Sequence, residues 1–255
     1  AITVEGATML RRLSERGTTP RVHLELVATS GGTALSANVV GEVRGRELPE
    51  EIVLVGCHLD SWDVGQGAQD DGAGCVLAME VGRLIARLPV APRRTVRVVL
   101  YTNEENGLAG ARAYAEAHAQ ERHVAVLEAD TGAGAARGFR VDVRRPGADG
   151  RPVTDPALVA AVIGSLADSA QRLRAVDAHR FVPGYAGADI APLVTAGAVG
   201  FGLDQDMSGY WPIHHTEADT LDKIDPVVLR RDAAAMTLLV YDLANRTTPL
   251  LPVTP

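Results

Sequence analysis

EIVLVGCHLDSWDVGQGAQDDGAG, residues 51–74, decides the fold. Its first half is a continuous apolar run with no polar face until its end, the pattern of a strand buried on both faces of a sheet. Its second half is a loop of small residues running into a helix. Glycines there permit unusual backbone angles, and two adjacent acids stand where a helix N-terminus favours negative charge. The apolar run ends on His58 and Asp60, and Asp70 follows in the loop. On extended chain His58 and Asp60 face the same way. The Asp60 carboxylate is therefore expected to accept the second ring N–H of His58 and fix its tautomer.

The same pattern recurs along the chain. TVRVVLYT (95–102) and HVAVLEAD (123–130) read as further buried strands, and AVGFGL (198–203) as a shorter one. Helical spacing marks 4–16, 71–88, a stretch near 107–119, and 155–169, the last opened by Asp155 and Pro156. A long helix over 225–246 is capped by Asp225 with Pro226 at its first position. RVHLELVAT (21–29) and ALSANVVGEVRG (34–45) alternate like strands around the turn signal SGG at 30–32. Residues 138–143 and 173–178 also look like strands, 144–156 like a turn-rich loop, and the tail from 247 onward like extended chain. Strands alternating with helices predict an α/β fold with a mixed, mostly parallel central sheet and helices on both faces.

The chain has 255 residues, 46% of them hydrophobic, and a formal net charge of -7. That length suffices for a large core, and residues 1–255 are read as a single catalytic domain. The acidic balance argues against nucleic acid or an anionic membrane as the main partner. No apolar stretch is long enough to cross a bilayer. Two cysteines, Cys57 and Cys75, flank the strand–loop–helix unit. They are read as buried thiols, with a disulfide or soft metal ligands as the alternatives.

In open sheets, ligands bind beyond the carboxyl ends of the strands. His58, Glu105 in YTNEENG and Asp130 stand there. With Asp70 and His215 in PIHHTEADT they make two imidazoles and three carboxylates, a set that suits zinc. Glu104 and Glu105 leave the backbone in different directions, so Glu105 can bind metal while Glu104 faces the reacting water as general base. Two metals about 3.5–4 Å apart would activate that water and polarise a carbonyl. Only one of His214 and His215 need bind metal; the other can hydrogen-bond a carbonyl oxygen as negative charge develops on it. Trp62 and Asp63 are placed on the pocket wall, and Tyr185, Tyr210 and Trp211 are candidates for substrate contact. His23, His118, His123 and His179 are read as surface or packing residues.

These residues resemble the co-catalytic di-zinc exopeptidases, the family of leucyl aminopeptidases and glutamate carboxypeptidases. The likeness is greatest to the carboxypeptidase Q branch, whose pattern HLDSWDVGQGAxDDGxG spans His58 to Gly74 here. The resemblance implies that His58, Asp70 and Asp130 hold one Zn2+ and that Asp70, Glu105 and His215 hold the other, with Asp70 bridging. It implies Glu104 as base, His214 where relatives stabilise the oxyanion, and a cis peptide after Asp70. The implied substrate is a peptide or dipeptide with a free terminus. A glutaminyl cyclase-like transferase and a non-catalytic binding domain on the same fold are the competing readings. Such relatives commonly carry a protease-associated domain, which nothing here matches, and are secreted or extracytoplasmic. A homodimer contact and the direction of cleavage stay open.

Overall fold

The computed structural model describes residues 2–29 and 31–251. Ser30 of the SGG turn and residues 252–255 of the tail lie outside the described residues. The chain forms two units, Ala1–Ser36 and Ala37–Pro255. The first holds helix α1 (Val4–Glu15), whose Thr3 Oγ1 accepts the Gly6 N–H at 3.1 Å. The alternation over 21–29 does not become a strand. Its described residues are irregular, and Val22, Leu24 and Leu26 are exposed. An alternating pattern states which face wants burial, and no described strand pairs with this one to bury it.

The described residues of the second unit contain nine strands: β1 (Val39–Val43), β2 (Leu48–His58), β3 (Arg94–Tyr101), β4 (Arg122–Glu128), β5 (Ala136–Asp142), β6 (Arg144–Pro146), β7 (Pro152–Thr154), β8 (Arg180–Pro183) and β9 (Val199–Gln205). Seven form one sheet in the order β1-β3-β2-β4-β9-β5-β8, and β6 and β7 make a separate hairpin. β3, β2, β4 and β9 run parallel, as do β5 and β8, while β1 and β5 are antiparallel to their neighbours β3 and β9. The mixed, mostly parallel sheet is as expected. The hairpin falls inside 144–156, read above as loop.

Helices α2 (Ala73–Ala86), α3 (Ala109–Ala117), α4 (Pro156–Gly164), α5 (Ala167–Leu173), α6 (Ala191–Thr195) and α7 (Pro226–Asn245) cover the sheet. Val53, Val55, Cys57, Leu127 and Phe201 pack with α2 and α7 on one face. Leu54, Val99, Tyr101 and Val126 pack with Tyr114 of α3 and Leu193 of α6 on the other. Each fully buried aliphatic side chain contributes about 1.5–3 kcal/mol. Burial on both faces explains why β2, β3 and β4 lack alternation. The predicted 155–169 helix breaks in two near Leu166. The predicted strand over 173–178 is instead the end of α5 and a 3₁₀ turn at Arg174–Val176. Its apolar residues at 173 and 176 recur at helical spacing, and Leu173 is fully buried from a helix. Asp225 caps α7 by accepting from the N–H groups of Val227 and Val228.

The opposite end of the sheet is pinned by charge. Glu51 accepts from Arg94 at 2.5 Å and Arg122 at 2.7 Å, tying the starts of β2, β3 and β4. A cavity of about 490 Å³ opens there, lined in part by Glu51, Arg122, His123 and Arg246. It lies at the end away from the candidate ligands.

Candidate metal centre

Parallel register brings the strand ends level. His58 pairs with Tyr101 of β3, and Gly56 pairs with Glu128 of β4. The segments leaving these strands carry Glu104, Glu105 and Asp130 to the edge where β2 ends in His58. The loop after β2 returns through Gly67, at φ 63°, and a Cβ on Gly67 would sit 2.4 Å from that of Ser61. A Cβ on Gly74 would meet the Ala129 carbonyl at 1.9 Å, so only glycine lets α2 start this close to β4.

All five predicted ligands converge. His58 Nε2 lies 3.4 Å from Asp70 Oδ1 and 3.3 Å from Asp130 Oδ1. His215 Nε2 lies 3.1 Å from Asp70 Oδ2 and 3.0 Å from Glu105 Oε2. Asp70 thus turns one oxygen to each histidine. His214 Nε2 is also 3.4 Å from Asp70 Oδ2, and its ring stacks on that of His215 at 3.6 Å. Of these two neighbours His215 is the one that also pairs with Glu105, and it sits at φ 59°, a left-handed conformation uncommon for a non-glycine residue and frequent at functional sites.

The neighbouring acid of the pair does different work. Asp71 is fully buried, and its two oxygens accept the N–H groups of His58 at 3.2 Å and Gly74 at 3.0 Å. Asp70 Oδ2 is buried with no hydrogen-bond partner. Asp70 therefore has an oxygen free to bind a cation where the oxygens of Asp71 are taken, although Asp71 also lies close to His58 and Asp130. The peptide bond between the two is cis.

Asp60 departs from expectation. His58 Nδ1 donates to the Asp60 backbone carbonyl at 2.9 Å, and the carboxylate is 3.9 Å from that nitrogen. The tautomer is still fixed, by main chain in place of side chain. The carboxylate instead accepts the N–H groups of Glu104 at 3.1 Å and Glu105 at 3.4 Å, just after Asn103 turns at φ 62°. It therefore holds the glutamate pair against the histidine strand.

Charge in the cluster is self-compensating. Burial raises the carboxyls of Asp130, Glu104 and Glu105 above their ordinary range, Glu104 to about 6. Burial also favours neutral Asp70, yet the neighbouring His58, His214 and His215 win and hold it low. Burial opposes charge on His58, but its bonds to Asp130 and Asp70 raise it overall. Carboxylates drawn this close need positive charge between them. A divalent cation would supply it, and Asp70 Oδ2 and Glu105 Oε1 are buried acceptors without a hydrogen-bond partner. The residues fit a metal.

Several supports join residues that only folding brings together. Asp219 accepts the N–H groups of Gln69 at 2.7 Å and Asp70 at 3.1 Å, across about 150 positions of sequence. Trp62 Nε1 donates to Glu105 Oε2 at 2.8 Å. Cys57 and Cys75 are free, buried thiols with Sγ atoms 2.8 Å apart, and Cys75 donates to the His58 carbonyl at 3.0 Å. Among the proposed substrate contacts, Trp211 and Tyr185 are exposed. Tyr210 is buried against the His214 ring at 4.9 Å and forms wall beneath it. No helix among the described residues is long and apolar enough to cross a membrane.

Comparison with known proteins agrees with this geometry. Residues 38–240 match the model of Peptidase family M28. Carboxypeptidase Q from Xenopus laevis is 36% identical over 96% of this chain and 50% of its own length. The crystal structure of a Peptidase M28 precursor from Shewanella amazonensis SB2B superposes with a TM-score of 0.81 at 33% identity, covering 98% of this chain and 54% of that one. A zinc aminopeptidase from Bacillus subtilis shares the fold at a TM-score of 0.60 and 20% identity, over 84% and 51% of the two chains. The chain spans about half the length of the curated relatives it matches. With its strand-end histidine, its paired acids and its sheet all accounted for, the chain belongs to Peptidase family M28.

Proposed function

We propose that this chain is the catalytic part of a zinc-dependent exopeptidase that hydrolyses dipeptides or short peptides with a free terminus. The observation that carries the reading is the Asp70 carboxylate, set between two histidines with one oxygen toward each. That placement supports two ions sharing Asp70, with His58 and Asp130 on one side and Glu105 and His215 on the other. When bound, the pair of ions would supply Lewis acidity for the scissile carbonyl and for the attacking water.

The remaining work falls to the chain. Glu104 is half-buried, and its carboxyl is raised to about 6, nearer neutrality than an exposed glutamate. It takes one proton from the attacking water and delivers it to the nitrogen of the leaving amine as the C–N bond breaks. His214, beside Asp70, donates to the carbonyl oxygen as charge builds there. Asp60 keeps Glu104 aimed by holding its backbone N–H. Trp211 and Tyr185 offer exposed rings at the rim for side-chain contact.

The test is hydrolysis of free dipeptides against amino-blocked and carboxy-blocked ones, for the wild type and for Glu104→Gln with its metal content measured. The reading expects turnover of unblocked substrates, and a variant that keeps its metal while losing about 10²–10⁴-fold in rate. A metal-loaded Glu104→Gln with wild-type turnover would refute the base assignment.

A further inference from the structure

Trp62 touches two of the ligands assigned to one ion. Its indole N–H donates to Glu105 Oε2, and its ring centroid lies 5.1 Å from that of His215. Trp62 is itself 44% exposed, whereas the Glu105 side chain it bonds is only 5% exposed. Glu105 Oε1 remains buried and without a hydrogen-bond partner, so the indole bond leaves one oxygen free for coordination. The other ligand group is supported differently. His58 ends β2 and is held through Nδ1 by a main-chain acceptor, the Asp60 carbonyl just beyond the strand.

We propose that Trp62 is a positioning residue that orients Glu105 for the ion shared with His215, and so sets how tightly that one subsite keeps its metal. This rests on the two-ion reading above. A glutamate on an irregular segment has several rotamers to lose on binding metal. A donor fixed to one of its oxygens removes that freedom beforehand and leaves the second oxygen as ligand. The ring on His215 restrains the other ligand of the same ion. The two subsites are held differently: Asp60 steadies the backbone of Glu105 and, through its carbonyl, the ring of His58, whereas the Glu105 side chain takes its hydrogen bond from a surface indole.

The experiment is zinc binding at buffered free-zinc concentrations, read as zinc per chain, for wild type and Trp62→Phe. Phenylalanine keeps a ring beside His215 and deletes the donor. Wild type should bind two ions, and Trp62→Phe should keep one at unchanged affinity and bind the other about 10–100-fold more weakly. Thermal unfolding of the two metal-free proteins should coincide, since a merely structural role would move it. In a Trp211→Phe background Trp62 is the sole tryptophan, because the chain has two. Its emission should change with the more weakly bound equivalent of zinc alone. Two ions in wild type with unchanged affinities in Trp62→Phe would overturn the role of Trp62 and leave the two-ion reading intact. Equal weakening of both ions, or an emission change with the tighter equivalent, would overturn it too. Fewer than two ions in wild type would overturn the two-ion reading itself and this inference with it.

Discussion

Removing the Asp219 carboxylate should loosen the loop that carries Asp70, and the cost follows from its bonds. Asp219 is 3% exposed and accepts two backbone N–H groups, from Gln69 and Asp70, at 2.7 and 3.1 Å. Hydrogen bonds to a charged acceptor are worth about 1.5–3 kcal/mol each, and a buried donor left bare bears its full desolvation cost. Asp219→Ala should therefore cost about 3–6 kcal/mol, and Asp219→Asn, which keeps one acceptor oxygen, about half of that. Urea unfolding of the metal-free proteins measures both. The metal-bound state should lose further, because one of the two N–H groups that the Asp219 carboxylate holds belongs to Asp70 itself. A loss below about 1 kcal/mol for Asp219→Ala would show that the loop is held by other contacts, and the reasoning would fail.

Two other perturbations probe separate links. Asp70→Ala should cost the chain at least one bound metal, seen by elemental analysis after dialysis; unchanged metal content would contradict the shared role of that carboxylate. Burial and then the Arg97 charge depress His123 from 6.5 to about 4. The folded chain thus refuses a proton that the unfolded chain accepts between those values. Its contribution to stability is full above about pH 6.5 and is lost as pH falls toward 4, by at most about 3 kcal/mol at 1.36 kcal/mol per unit. His123→Gln should flatten that part of the acid limb in pH-dependent denaturation, whereas superimposable acid limbs would argue against the assignment.

The legible parts of the fold were those whose cause is local. β2, β3 and β4 announce themselves because burial on both faces leaves no polar alternation, and α7 because Asp225 and Pro226 write its start. The illegible parts depend on partners. The 21–29 alternation is a real preference for a half-buried strand, but no described neighbour pairs with it. Leu173 and Val176 stand at helical spacing, but two residues do not establish a period, and α6, at five residues, is too short to show one. The hairpin of β6 and β7 hid among turn residues. Within the centre, the five ligands stood out because each follows an apolar run or a glycine-rich loop. The particular contacts of Asp219, Trp62 and Asp71 did not, since each acts on backbone or carboxylate brought near only by folding. Asp60 shows the same limit: its facing was read correctly, but the acceptor turned out to be its carbonyl.

Anomalous scattering from crystals grown with zinc tests whether Asp70 is shared by two cations. Two peaks about 3.5–4 Å apart are expected, one beside His58 and Asp130 and one beside Glu105 and His215, with Asp70 touching both. A single peak, or none within reach of Asp70, would contradict that sharing.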